Sequence, residues 1–373
     1  MSQRWRFWFL PVSLLGFAFY ARPAAGHHSD PGAWFQPVAV EASVVATTPA
    51  PGITGQGKYR FRVFLKSDAL PQAARDVLVK AHGGFAVDER AGKGETYWAL
   101  PGAGVLQVAP NLKSVALLKT TSVVKEAALH NTTIWYAKGK PMLVFPGVEA
   151  AKIFTTNIEG TLLHTLDAPT GNEFGIPIVN DYFRGAGNFV PTDVEHIDGI
   201  YYITTGYSNL DYVLTARVTS TSPFKAQWHD LAFGGRGNGP GQFGTGHGIT
   251  VRPGTKIIEI ADRPNAEIDR FTRHGQHLGT QKIPAGSLPC DTFFLDQYML
   301  VPALDGPNRK EGAPIYLYEN GELVSTILAK RDLGLENFQH IHNAVLRRVE
   351  GKLYVIAQAW NPGDFAVFEQ INN

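Results

Sequence analysis

The 373-residue chain has a single cysteine, Cys290, so no disulfide can form within it. Stability must therefore come from a buried core. Charge is sparse as well. Charged residues make up 18%, and 34 Lys+Arg against 33 Asp+Glu leave a net charge of +1. There is no basic excess and no basic patch interleaved with aromatics, which excludes nucleic acid as a partner on electrostatic grounds. Long apolar runs are also missing. The most apolar stretch, Phe7 to Tyr20, is short and broken by Pro11, which favours a cleaved signal over the rival reading of an uncleaved membrane anchor. Arg4 and Arg6 precede it and Ala24-Ala25-Gly26 follows, the pattern of a cleavable export signal over 1–26. The expectation is a secreted or periplasmic protein with no membrane contact once the signal is removed.

What the chain has in quantity is core and turns. Hydrophobic residues reach 44% and aromatics 11%, with 39 Gly and 24 Pro. Residues 27–56 are rich in Pro, Ala, Thr and Gly without a sustained period, and read as a flexible linker. From there on, strand-like segments come in groups of three or four separated by Gly, Asp, Asn or Pro turns. The clearest group runs HGITV-RPG-TKIIEIADRPN-AEIDRFTRHG-QHLGTQKI from His247. Groups on the same plan start at Gly83, His130, Thr192, Cys290 and His342, with gaps of 47, 62, 55, 43 and 52 residues. Four short antiparallel strands in about 40–50 residues make one propeller blade. Six units predict an all-β, six-bladed β-propeller over 57–373. The last unit has only three strands, and Tyr59 to Leu65 stands alone before the first. The N-terminal segment is expected to supply the missing outer strand, removing two open edges. Residues 71–81 read as a short helix.

In a propeller the innermost strands run in one direction, so their first residues gather at one mouth of the central channel. That ring reads Gly83, His130, Thr192, His247, Cys290, His342. Histidine falls in alternate blades, roughly 120° apart, so the three imidazoles converge on the axis. Three neutral imidazoles with a fourth position open describe a catalytic-type Zn²⁺ site, other divalent metals being compatible with it. The predicted metal ligands are His130, His247 and His342. His82, one residue before its ring position, is expected to be turned elsewhere by strand alternation. Cys290 reads as a small buried hydrophobe. The Gly-rich run at 234–241 reads as an interblade loop, because it leads into a strand and not a helix. The sequon at Asn131 sits at the channel mouth and is taken as accidental. His196 and His340 read as channel or loop residues, with His340 the closer to the ring.

The segments FGGRGNGPGQF, GHGITV and IIEIADRPNAEIDRF resemble NHL repeats, and specifically those of the peptidyl-α-hydroxyglycine α-amidating lyases, six-bladed propellers with an axial zinc held by three histidines. The resemblance covers about blades two to six and is strongest over 188–271. It implies that Tyr207, in the segment FVPTDVEHIDGIYYITTGYSN, matches the family's catalytic tyrosine, with a hydroxyl pKa lowered by the metal and a nearby cation. It further implies that Arg263 matches a substrate-binding arginine, and that His130, His247 and His342 match the zinc ligands. The implied reaction is lyase chemistry on a small α-hydroxy-amide. Its substrate would be a small molecule or peptide-derived, and the protein a monomer. The chain departs from the family in places. Tyr97-Trp98-Ala99-Leu100 carries no arginine where blade one of the family has one. His340 replaces a methionine. Asn343 stands where an aspartate helps hold a structural calcium, which argues against Ca²⁺. The missing arginine favours a different reading, a non-catalytic propeller that binds a ligand or protein and keeps a structural metal. The bland readings of Tyr207 and Arg263 are a channel-lining aromatic and a salt bridge to Asp262 or Glu267.

Overall fold

The computed structural model describes residues 52–371. The export signal expected at 1–26 and most of the expected linker lie outside the described residues. Short strands closed by tight turns form six separate antiparallel sheets, five of four strands and one of five. Blade one comprises Phe85–Val87, Thr96–Leu100, Gly104–Val108 and Val115–Leu117, and blade two Thr133–Ala137, Lys140–Gly147, Lys152–Asn157 and Leu162–Asp167. Blade three comprises Asp193–Ile197, Ile200–Thr204, Tyr212–Thr221 and Phe224–Gly234, and blade four Gly246–Val251, Ile258–Asp262, Glu267–Phe271 and His277–Lys282. Blade five holds Phe293–Leu295, Tyr298–Pro302, Ile315–Glu319 and Glu322–Ile327. Blade six holds His340–Val349, Lys352–Trp360 and Asp364–Ile371. The protein is a six-bladed β-propeller.

Blade six takes strands from both ends of the described chain. Tyr59–Lys66 lies antiparallel to Asp364–Ile371, and Thr54–Gln56 pairs outside it. The fold therefore begins before residue 57, where the linker was expected to end. Thr54 explains the difference: it is fully buried, its hydroxyl donates to Asp332 at 2.8 Å, and it accepts from the Leu328 amide at 2.8 Å. The helix expected over 71–81 is two short helical turns, Gln72–Arg75 and Leu78–Lys80, interrupted at Val77 by a non-helical backbone (φ −118°, ψ 12°). The longest gap between blade starts holds an unexpected helix, Pro177–Arg184, which opens with Pro at its first turn as helices favour.

The alternating apolar residues of each blade face its neighbours, and the core divides accordingly. Six buried clusters each fill one gap between adjacent blades, including that between blade six and blade one. A closed ring buries both faces of every sheet, which is how a chain without disulfides accumulates enough apolar burial. Among the described residues no helix is long and apolar enough to cross a membrane.

Phe61 is fully buried in the cluster between blades five and six. Phe61→Ala is expected to cost about 3–5 kcal/mol by cavity formation, read by chemical denaturation. A loss well under 1 kcal/mol would mean that the N-terminal strand contributes little to the ring.

Candidate functional site at the mouth of the central channel

Three local devices aim the ring histidines inward. His342 sits at a register shift between Ile341 and Asn343 in its ladder with the neighbouring strand, and His247 at one between Gly246 and Ile249. Such irregularities free one residue from pairing and redirect its side chain. Gly248, after His247, packs so closely that a Cβ there would lie 2.4 Å from the Cys290 carbonyl oxygen. His130 precedes Asn131, whose left-handed backbone (φ 60°) is one that Asn tolerates.

The result is a knot of imidazoles. His130 Nε2 lies 3.2 Å from His247 Nε2 and 3.0 Å from His342 Nε2, and all three residues are buried. The tautomers of two of them follow from their partners. His130 Nδ1 meets the Thr192 carbonyl, and His247 Nδ1 meets the Cys290 carbonyl at 2.7 Å. A carbonyl only accepts, so both Nδ1 atoms carry the proton and both Nε2 atoms present lone pairs. Two lone pairs facing at 3.2 Å repel unless a cation lies between them. A proton is a poor candidate. Burial, reinforced by neighbouring imidazoles and Arg263, holds His130, His247 and His342 well below the usual imidazole range. Both separations from His130 suit a divalent metal, since nitrogens on a tetrahedral zinc stand roughly 3.3 Å apart, and backbone carbonyls commonly orient ligating histidines. The imidazoles whose ligand nitrogens lie mutually within 4.8 Å are those of His82, His130 and His342.

Tyr207 and Arg263 adjoin the knot. Gly206 lets the Tyr207 turn press onto blade four, since a Cβ there would lie 2.4 Å from the Gly246 carbonyl. The Tyr207 hydroxyl stands 3.0 Å from His247 Nε2, 3.4 Å from His130 Nε2, and accepts from Arg263 Nη1 at 2.8 Å. The nearby cation expected from the resemblance is thus Arg263. The phenol is not lowered, however: burial pushes it up and outweighs Arg263, which pulls the other way. Arg263 is buried and forms no salt bridge with its acidic neighbours. Asp262 accepts from the Gly244 and Thr245 amides and from Asn265, and Glu267 pairs with Lys282. The guanidinium meets a phenol and the Cys290 sulfur (3.0 Å), and its Nε has no hydrogen-bond partner. Cys290 is buried as expected, its thiol pushed up by burial against the pull of Arg263.

Several residues sit differently from the sequence reading. His82 is beside the site, its ring 4.3 Å from that of His130 and 4.5 Å from that of His342. Strand alternation does not govern it, because blade one's first strand starts only at Phe85. His196 stacks on Trp135 at 4.0 Å, and His340 donates to the Leu304 carbonyl at 3.1 Å. Beneath the histidines lies a layer that register reasoning overlooked. Asn131 and Asn343 donate to Asp291 Oδ2 at 3.2 and 2.7 Å, and Asn343 also donates to Asn131 Oδ1. The buried Asn131 amide is therefore a structural link, in line with an accidental sequon. Below this layer, Asp193, Asp291, Glu195 and Thr250 help line a cavity of about 360 Å³. Burial raises Asp291 to about 6 and Glu195 to about 8, and pushes Asp193 well up with help from Asp291.

No family model and no curated protein matches the chain. Among solved structures, similarity reaches a streptogramin B lyase (TM-score 0.46, 11% identity, 79% of this chain and 95% of that one). It also reaches a catalytically inactive virginiamycin B lyase from Staphylococcus aureus with quinupristin (0.49, 12%, 83% and 100%) and a nidogen/laminin complex (0.45, 9%, 74% and 92%). Likeness at this level carries no argument about activity.

Glu195 offers a pH test away from the histidines. Its folded pKa of about 8 lies above its ordinary 4.5, so its stabilising contribution is complete below about 4.5 and is lost as pH rises through 8. Glu195→Gln is expected to gain melting temperature over the parent protein progressively across that window. Parallel melting curves from pH 4.5 to 9 would show that the carboxyl is already ionised.

Proposed function

We propose that the channel mouth is the active site of a metal-dependent lyase acting on a small, anionic α-hydroxy-amide, with His130, His247 and His342 holding the metal. The observation that carries this reading is the pair of tautomer-fixed lone pairs 3.2 Å apart beside a buried guanidinium that has no carboxylate. The first calls for a cation and the second for an anion. A metal so held supplies Lewis acidity to a substrate hydroxyl or carbonyl oxygen. Zn²⁺ is the first choice, other imidazole-preferring divalent ions being compatible, and calcium is not part of the reading.

The chain's own groups take the remaining roles. Arg263 pairs with the substrate carboxylate through its unsatisfied N–H donors. Its cation offsets part of the burial that raises the Tyr207 phenol, and a metal held by the imidazoles would lower it further, so that Tyr207 takes the hydroxyl proton as general base. The C–N bond then breaks, the oxygen-bearing carbon becomes the aldehyde of glyoxylate, and the proton passes to the departing amide nitrogen. Thr192 and Cys290, through their carbonyls, fix the Nδ1–H tautomer of His130 and His247 and aim the two rings. This reading extends the NHL-type resemblance of the sequence and includes its expectation of an exported, monomeric enzyme with a small-molecule or peptide-derived substrate. The non-catalytic alternative accounts for Arg263 by an anionic ligand, but gives the Tyr207 hydroxyl beside the imidazoles no chemical role.

The test is glyoxylate release from α-hydroxyhippurate by the metal-loaded protein. Tyr207→Phe is expected to lower kcat by about 10²–10⁴, and Arg263→Gln mainly to raise KM. Single alanine changes at His130, His247 and His342 are expected to abolish stoichiometric metal. Full metal with no turnover by the parent protein would favour the non-catalytic reading, and unchanged metal content in all three variants would remove both.

A further inference from the structure

The three-fold pattern of the site breaks at blade one. His130 of blade two is held by the ring carbonyl of blade three, Thr192, and His247 of blade four by that of blade five, Cys290. By the same rule His342 of blade six should be held by Gly83 of blade one. The register supports that correspondence. In blades one and four the amide two residues beyond the ring position donates to a side chain of the preceding blade, Phe85 to Asn343 Oδ1 at 3.0 Å and Ile249 to Asp193 Oδ2 at 2.9 Å. Gly83 thus corresponds to His247. Yet His342 Nδ1 is buried with no hydrogen-bond partner.

Blade one is shifted for a visible reason. Gly83 is pressed onto the blade's second strand, where a Cβ would lie 1.9 Å from the Ala99 carbonyl oxygen, and Gly84 is pressed onto Asn131, whose Oδ1 would lie 1.6 Å away. Only glycine allows either approach. The ring position of blade one therefore has no side chain, and the preceding residue fills the sector. His82 brings a ring nitrogen within 4.8 Å of ligand nitrogens of both His130 and His342. Its plane is set by stacking on Trp360 (5.6 Å between centroids, 25° between planes). Its ring contacts are with His130, His342 and Trp360, the Arg263 charge lies close enough to act on it, and neither of its nitrogens takes part in a hydrogen bond among the described residues. An oriented imidazole with both nitrogens unengaged, facing two imidazoles whose nitrogens converge, has a ligand's disposition and not that of a packed core histidine.

We propose that His82 is a fourth imidazole of the metal centre, supplied by blade one. The proposal rests on the metal-centre reading above and changes its character. Four nitrogens would fill a four-coordinate ion, so a substrate oxygen would need a fifth position or the place of one imidazole; His82 and His130 are the two held outside the strands. The family resembled in sequence has an arginine in blade one. Here His82 takes over that blade's place at the axis.

Cobalt(II) titration of the full-length protein, followed by visible absorption and calorimetry, tests this independently of turnover. His82→Ala and His82→Gln are expected to weaken Co²⁺ binding at least about tenfold and to shift the ligand-field bands, while circular dichroism keeps the parent's strand signal. His247→Ala is expected to lose stoichiometric binding. If both His82 variants keep the parent's affinity and spectrum while His247→Ala does not, His82 is a neighbour and not a ligand, and the three-histidine reading stands alone. If the parent protein takes up no Co²⁺, both proposals fall together. The Gln variant retains bulk in the sector, so it decides the matter should the Ala variant fail to fold.

Discussion

Like atoms forced to face one another govern this structure. Six sheets closed into a ring bring their first strands to one channel mouth, where two of those strands and the segment leading into a third deliver an imidazole. Two of the imidazoles cannot relieve the crowding by changing tautomer, because the Thr192 and Cys290 carbonyls hold their Nδ1 protons. Protonation is disfavoured by burial and by Arg263. The electrostatics of the site follow from that concentration of lone pairs beside a fixed positive charge.

The surrounding layers make the convergence rigid. Asn131, Asp291 and Asn343 tie three blades together directly beneath the histidines, and Thr192 binds blade three to blade four through the His247 carbonyl at 2.8 Å. A site placed by strand starts on a closed ring needs little loop ordering. Tyr207 sits on a turn with its ring partly exposed and its hydroxyl turned in against the imidazoles. Blade one is the exception in the ring, with two glycines packed against backbone and amide and a histidine one residue early.

The periodic features were legible in the sequence. Blade count, ring register and the choice of His130, His247 and His342 follow from turn spacing and strand polarity, and the three residues do meet. Arg263 and Tyr207 emerged only through resemblance, since nothing in strand periodicity singles out a residue in a turn. His82 was missed because alternation was applied to residues outside any strand. The dipeptides His82-Gly83, His130-Asn131, His247-Gly248 and His342-Asn343 were the available signal. The absence of salt bridging at Arg263 was not legible, because it depends on which backbone amides occupy Asp262. The pKa of Tyr207 likewise depends on a burial that its sequence neighbours do not reveal.

The account depends on a metal ion on the propeller axis, and X-ray absorption at the metal edge of the protein as purified examines that directly. The expected spectrum shows one bound metal per chain with a first shell dominated by imidazole nitrogen at about 2.0–2.1 Å. A metal-free protein, or a metal surrounded by oxygen alone, would contradict it.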